Sequence, residues 1–251
     1  MQRDKKASKQ CLYKRLVGAV LIAAAMVLSG CSPETSGTGV STSQKQGSIL
    51  VLVLVDSTDS AAARKEEWHQ AFQKLLTNYL PDDAKITLIR CDHHPEVGAS
   101  KRLRGTKAQR EAILKELEQV WKPRPCGRDI QGKETYCGSD VVGALELAIQ
   151  YATKPENQGY RRKMIIGWTD LVADPCKRDP KNPVRYREPT DYQPSDAAKA
   201  LELILHGVPV QKHQALHQKW DPAFKRVHLY GPGEEIEVER QYELQAIEGW
   251  L

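Results

Sequence analysis

Residues Ile49 to Val55 read ILVLVLV, with no polar break, and run straight into Asp56, Ser57, Thr58, Asp59 and Ser60. A continuous apolar run of this length marks a strand buried on both faces, as in the middle of a parallel sheet. Trp68, Phe72, Leu75, Leu76, Tyr79 and Leu80 then recur at helical spacing. The sequence PDD breaks that helix, and KITLIRC, Lys85 to Cys91, predicts a second strand. Residues 107–121 predict a helix with Ile113, Leu117, Val120 and Trp121 on one face. Residues 122–139 read as a long irregular loop that opens onto a helix carrying Val141, Leu145, Ala148, Ile149 and Ala152. KMIIGWTD predicts the next strand, and a Pro-rich, charged loop covers residues 174–194.

The rest of the chain continues the pattern. SDAAKALELILHG, from Ser195 to Gly207, starts on a Ser and ends on a Gly, the signature of a capped helix. VPVQ and RVHLYG predict short strands around a helical stretch at 212–224, and EEIEVERQYELQAIEGWL predicts a closing helix. Strand and helix alternate throughout. That predicts an α/β domain, Rossmann-like, in three layers: a mostly parallel central sheet flanked by helices on both faces.

The amino terminus does not belong to this domain. Arg3, Lys5, Lys6, Lys9, Lys14 and Arg15 precede the uncharged run LVGAVLIAAAMVL, and Ser29 and Gly30 follow it. Basic, apolar and small segments in that order predict a secretory signal over residues 1–30. The apolar run is short of the ~20 residues that span a bilayer. Its ending, LSGC, resembles the lipobox of bacterial lipoproteins, which implies lipidation of Cys31. Ser32 resembles the outer-membrane class. Residues 31–47 then form the lipidated cysteine and a flexible linker rich in Ser, Thr and Gly, with a reach of roughly 50 Å when extended. The folded domain covers residues 48–251. The expected location is the bacterial cell envelope, lipid-anchored, in the outer membrane facing the periplasm or the cell surface.

This division changes the meaning of the charge. The full chain has 37 Lys and Arg against 32 Asp and Glu. Residues 1–30 hold six bases and one acid, so their removal leaves 31 of each. Zero net charge gives no footprint for nucleic-acid binding. Cys91, Cys126, Cys137 and Cys176 remain beyond Cys31. In an exported chain four cysteines predict two disulfides, expected here as Cys126–Cys137 and Cys91–Cys176. Free buried thiols are the alternative, and the absence of any C-x-x-C pair leaves little basis for zinc.

In a doubly wound sheet, binding sites lie beyond the carboxyl ends of the strands. The first strand ends in DSTDS, the helix after the long loop is preceded by CGSD, and the KMIIGW strand ends in Thr169 and Asp170. These segments converge on one sheet edge and offer carboxylates and hydroxyls. Such hard oxygen donors suit Mg²⁺, Mn²⁺ or Ca²⁺.

The three segments together resemble the von Willebrand factor A (vWA) domain. Its metal-ion-dependent adhesion site (MIDAS) combines Asp-x-Ser-x-Ser after strand one, a Thr in a second loop and an Asp after a later strand. Asp56, Thr58 and Ser60 match the first element, with Thr for the middle Ser. Ser139 matches the second, with Ser for Thr, and Asp170 matches the third. The resemblance implies that Thr58, Ser60 and Ser139 coordinate Mg²⁺ or Mn²⁺ through hydroxyls, with Asp56 and Asp170 acting mainly through bound waters. It also implies an open position that takes an acidic side chain from a protein partner. Two departures stand out: Ser139 lacks the methyl that restricts a Thr rotamer, and Leu171 follows Asp170 where the family often has Gly.

Other readings use the same residues. Asp56 and Ser60 also suit helix capping, which makes the chain a structural envelope lipoprotein with a degenerate metal site. An apolar strand ending in Asp also resembles the haloacid-dehalogenase phosphatases, but Thr58 stands where their second Asp belongs. His93 and His94 have no H-E-x-x-H spacing. The sequence has no G-x-S-x-G elbow, no Walker loop and no dinucleotide fingerprint. A non-enzymatic, metal-assisted protein-binding domain is therefore the expected function.

Overall fold

The computed structural model describes residues 49–58, 63–128, 131–132, 134–136, 138–173 and 186–234. Six strands form the central sheet: β1 (Ile49–Asp56), β2 (Lys85–Cys91), β3 (Glu96–Arg102), β6 (Arg162–Trp168), β7 (Glu202–His206) and β8 (Arg226–Tyr230). Their spatial order is β3-β2-β1-β6-β7-β8. Every pairing is parallel except that of β2 with β3. A separate hairpin pairs β4 (Pro125–Arg128) with β5 (Glu134–Tyr136). Among the described residues the α-helices are α1 (Lys65–Lys74), α2 (Lys107–Val120), α3 (Val141–Ala152) and α4 (Val210–Trp220). Among the described residues no helix is long and apolar enough to cross a membrane.

The unbroken apolar run of β1 is explained by two cores. Leu50, Leu52 and Leu54 join one core with Val141, Leu145, Ile149, Leu216 and Trp220 from α3 and α4. Ile49, Val51, Val53 and Val55 join the other with Trp68, Phe72, Ile113 and Leu117 from α1 and α2. Successive side chains of a strand point to opposite faces, so a central strand covered on both sides has no polar position left. Each of these buried side chains contributes about 1.5–3 kcal/mol.

Several expectations need correction. ELILH within SDAAKALELILHG is strand β7, not helix, and only Asp196–Ala200 forms a short 3₁₀ turn. The segment pairs with β6 and β8, so sheet pairing overrides a composition that favours helix. Gly207 does take the left-handed conformation expected of a cap, with φ +85°, but it ends a strand. An added Cβ there would sit 3.0 Å from Arg64 and 3.1 Å from Trp68. VPVQ is not a strand either: Pro209 stands at the N-cap of α4, which begins at Val210. Strand β3 and the β4–β5 hairpin occupy stretches without clear strand periodicity. The α1 helix continues as a π-helical turn over Leu75–Tyr79. The signal, the linker and the closing helix lie outside the described residues.

The cysteines are also corrected. Cys91 is a free, buried thiol, so the expected Cys91–Cys176 bridge is not formed. Its side chain joins the core beneath α3 instead of projecting from the sheet edge. Cys137 and Cys176 lie outside the described residues.

Candidate metal site

The site is built at the carboxyl edge, where β1 and β6 end side by side. Asp56 is the last residue of β1 and is 0% exposed. Its Oδ1 accepts from the Thr58 amide at 3.1 Å, the Thr58 hydroxyl at 2.7 Å and the Ser139 hydroxyl at 2.8 Å. Its Oδ2 accepts from the Thr169 hydroxyl at 2.8 Å. Three hydroxyls from three loops therefore meet on one carboxylate. Each hydroxyl has given its single hydrogen to Asp56, so lone pairs are what it offers to a further group.

Local sequence fixes each arm. The β1 arm is held by Trp121, whose Nε1 donates to the Asp56 carbonyl at 2.9 Å. The Ser57 hydroxyl beside it is buried and has no hydrogen-bond partner among the described residues. The Ser139 arm is held by Asp140, which caps α3 by accepting from the Gly143 amide at 2.9 Å. A Cβ on residue 143 would overlap the Asp140 carboxylate, so a larger residue there would displace the cap. The Asp140 amide donates to the Asp92 carbonyl at 3.0 Å, which ties the arm to the end of β2.

Asp92 is itself clamped. Arg124 donates to both of its oxygens, at 2.8 and 2.9 Å, and also reaches Glu96. Arg90 lies across the same carboxylates and donates to the Gln119 and Lys122 carbonyls.

On the third arm, Thr169 accepts from the Leu171 amide at 3.0 Å while donating to Asp56. Asp170 accepts from the Val172 amide at 2.9 Å. Leu171 adopts φ +53°, the left-handed region that costs an L-residue roughly 1–2 kcal/mol. Its side chain is 0% exposed in the core, and its carbonyl accepts from Lys212 at 2.6 Å. The backbone thus takes a glycine-like conformation here, and burial of the Leu side chain offsets the strain.

The electrostatics are one-sided. Burial pushes the Asp56 carboxyl up to about 6; the bonds from Thr58, Thr169 and Ser139 pull it down, and nearby Asp170 raises it further. Burial also holds the Cys91 thiol well above its usual range, helped by Asp56, Asp140, Asp92 and Asp170. A buried carboxylate ringed by hydroxyl oxygens fits a hard cation. Among the described residues no three His, Cys, Asp or Glu side chains converge as a metal-ligating group. The donors described here are carboxylate and hydroxyl oxygens.

The structure brings Asp56, Thr58 and Ser139 into direct contact and puts Asp170 within electrostatic reach. Ser60 lies outside the described residues. Thr169 is the member that sequence reasoning missed. Its signal was present: a hydroxyl residue at a strand end, directly before the proposed Asp.

No protein-family model and no curated protein matches the sequence. Solved structures do. The minor pilin PilB of Streptococcus sanguinis is 11% identical, with a TM-score of 0.53, over 82% of this chain and 62% of the pilin chain. The protein BatB of Bacteroides thetaiotaomicron is 12% identical, with a TM-score of 0.48, over 80% of this chain and 100% of its own. A von Willebrand factor type A structure from Catenulispora acidiphila is 13% identical, with a TM-score of 0.47, over 80% of this chain and 42% of its own. At such identity a likeness speaks to fold alone. The likeness to the pilin speaks for the fold: a three-layer α/β domain with a mostly parallel central sheet covered by helices on both faces.

Proposed function

We propose that this chain is a lipid-anchored envelope protein whose vWA-like domain binds a protein partner through a divalent-metal site of the MIDAS type. The observation that carries the reading is the meeting of the Thr58, Ser139 and Thr169 hydroxyls on the buried carboxylate of Asp56. Thr58, Ser60 and Ser139 would hold Mg²⁺ or Mn²⁺ through hydroxyl oxygens, with Ca²⁺ the third candidate. Asp56 orients those hydroxyls, and Thr169 positions Asp56 from the opposite side. Asp170 adds negative charge from the end of β6. A divalent ion bound with few direct carboxylates keeps positive charge with which to attract an acidic side chain of the partner. No catalytic role is assigned: Asp56 is fully buried with both oxygens engaged, which does not suit a phosphatase nucleophile.

A second reading rests on the same network. Asp56 already accepts four hydrogen bonds, which suits a structural lipoprotein whose degenerate site staples three loops without an ion. Calorimetric titration with Mn²⁺ and Mg²⁺ separates the two. Saturable binding that is lost in Asp56→Ala and weakened in Ser139→Ala supports the metal site. Heat no different from the buffer blank in the wild-type protein would remove it and leave the staple. Mass analysis of the amino-terminal peptide tests the anchor: lipid on Cys31 is expected.

A further inference from the structure

The opposite edge of the sheet is basic. Across its first rung the register places Arg102 beside Lys85, Lys85 beside Leu50, and Leu50 beside Lys163. The carboxyl-terminal end of α3 reaches the same edge. Lys163 donates to the Ala152 carbonyl at 3.1 Å, and Lys85 donates to Asn157 at 2.8 Å. Lys154 lies over the Tyr151 ring at 4.7 Å, and Lys85 lies over it at 5.2 Å. These partners are a carbonyl, an amide and a phenol ring. They orient the three lysines without cancelling their charge.

Arg161 is exposed beside them. The acids of this edge do little to offset the group. Glu202 is 2% exposed and is taken by Arg162 and Lys225. Asp82 is taken by Arg110. Among the described residues Glu156 and Asp83 are the remaining exposed acids close to the group in sequence.

Position adds a second observation. β1 begins at Ile49, next to Leu50 on the rung between Lys85 and Lys163. Everything upstream of residue 49, Cys31 included, joins the domain at this basic edge. The acidic residues Asp56, Asp92, Asp140 and Asp170 stand at the other.

We infer that the amino edge of the sheet is a docking face for anionic lipid headgroups, which turns the carboxyl edge and its site away from the membrane toward a partner. The tether in this picture rests on the lipid-anchored reading above; the charge of the face does not. A tether of this kind holds the face at high effective concentration near the surface. Modest attraction, multiplied over several cations, then sets orientation. Each Lys or Arg near an anionic surface strengthens the interaction about fivefold, and the far edge lies beyond the Debye length of the surface field.

The test uses the full chain, purified in detergent and, after detergent removal, mixed with vesicles of phosphatidylcholine, alone or with about 30% phosphatidylglycerol. Lysine acetylation is followed by mass spectrometry. Phosphatidylglycerol is expected to slow acetylation of Lys154 and Lys163 about fivefold and to leave Lys122, near the carboxyl edge, unchanged. Salt near 1 M, with a Debye length of about 3 Å, should abolish the slowing. So should Lys154→Glu combined with Arg161→Glu, read at Lys163, with the Lys122 rate as the check that the fold is intact. Equal rates with and without phosphatidylglycerol, or slowing that survives high salt, overturn the docking face. A Cys31 peptide without lipid overturns the anchor alone, because slowing that depends on phosphatidylglycerol reports the face directly.

Discussion

At the carboxyl edge of the sheet, charge lies inside the fold: Asp56 is 0% exposed and Asp92 is 3% exposed. At the amino edge, Lys154 and Arg161 stand in solvent and Lys85 and Lys163 are only half-buried. Both edges are polar, but the physics differs. Buried charge demands partners and sets geometry, because desolvation is costly and each missing hydrogen bond is felt. Exposed charge is screened and adds little to stability. On the readings proposed above, the carboxyl edge would hold a small ligand in fixed geometry, whereas the amino edge would act through summed field and not through any single contact.

The comparison can be broken by substitution. The largest effect is expected for Asp56→Ala, which removes the acceptor shared by three hydroxyls. Manganese affinity measured by calorimetry should fall by at least about a hundredfold. Next, Arg124→Ala leaves Asp92 buried without its bidentate partner. It should cost about 3 kcal/mol in urea unfolding and loosen the Ser139 arm, which hangs on the Asp92 carbonyl.

Asp56 also predicts a pH dependence of the metal-free protein. Its carboxyl titrates near 6 when folded against an ordinary value near 3.8. Between those values the folded state binds a proton that the unfolded chain releases. Stability therefore falls as pH rises through this window, by something on the order of 3 kcal/mol. Asp56→Asn should flatten that slope and stabilise the metal-free domain at pH 7 while abolishing ion binding. A site residue whose neutralisation stabilises the fold is being kept for something other than stability.

Leu171→Gly comes next. Relief of the left-handed backbone returns about 1 kcal/mol, but loss of a fully buried Leu costs about 2–5 kcal/mol. Net destabilisation of about 2 kcal/mol is expected in thermal unfolding. Arg226→Ala, at the exposed start of β8, should sit at the small end. Stability should stay within about 0.5 kcal/mol of the wild type, with ion affinity unchanged. A larger effect there would erase the distinction between the two edges.

What the sequence made legible follows the same division. The continuous run Ile49 to Val55 announces a doubly covered strand, because burial on both faces leaves no freedom of composition. That Asp56, Thr58, Ser139 and Asp170 come together at one sheet edge was readable, because each sits at the junction of an apolar element and a polar loop. Strand β3 was not readable. Its sequence, EVGASKR, lies at a sheet edge with most positions exposed, so neither face imposes an apolar period. β7 was misread because Ala, Leu and Glu favour helix locally, whereas its pairing with β6 and β8 is nonlocal. Thr169 escaped because its role depends on Asp56, 113 residues away.

Cys91 carries a consequence of another kind. Its thiol is buried beneath the site, held protonated by its surroundings, and joined to no other cysteine. A thiol in this position reacts with an alkylating reagent only when the carboxyl edge opens. Its labelling rate is therefore an internal clock for that opening, readable without adding any probe to the chain, and an ion that closes the three arms would slow the clock.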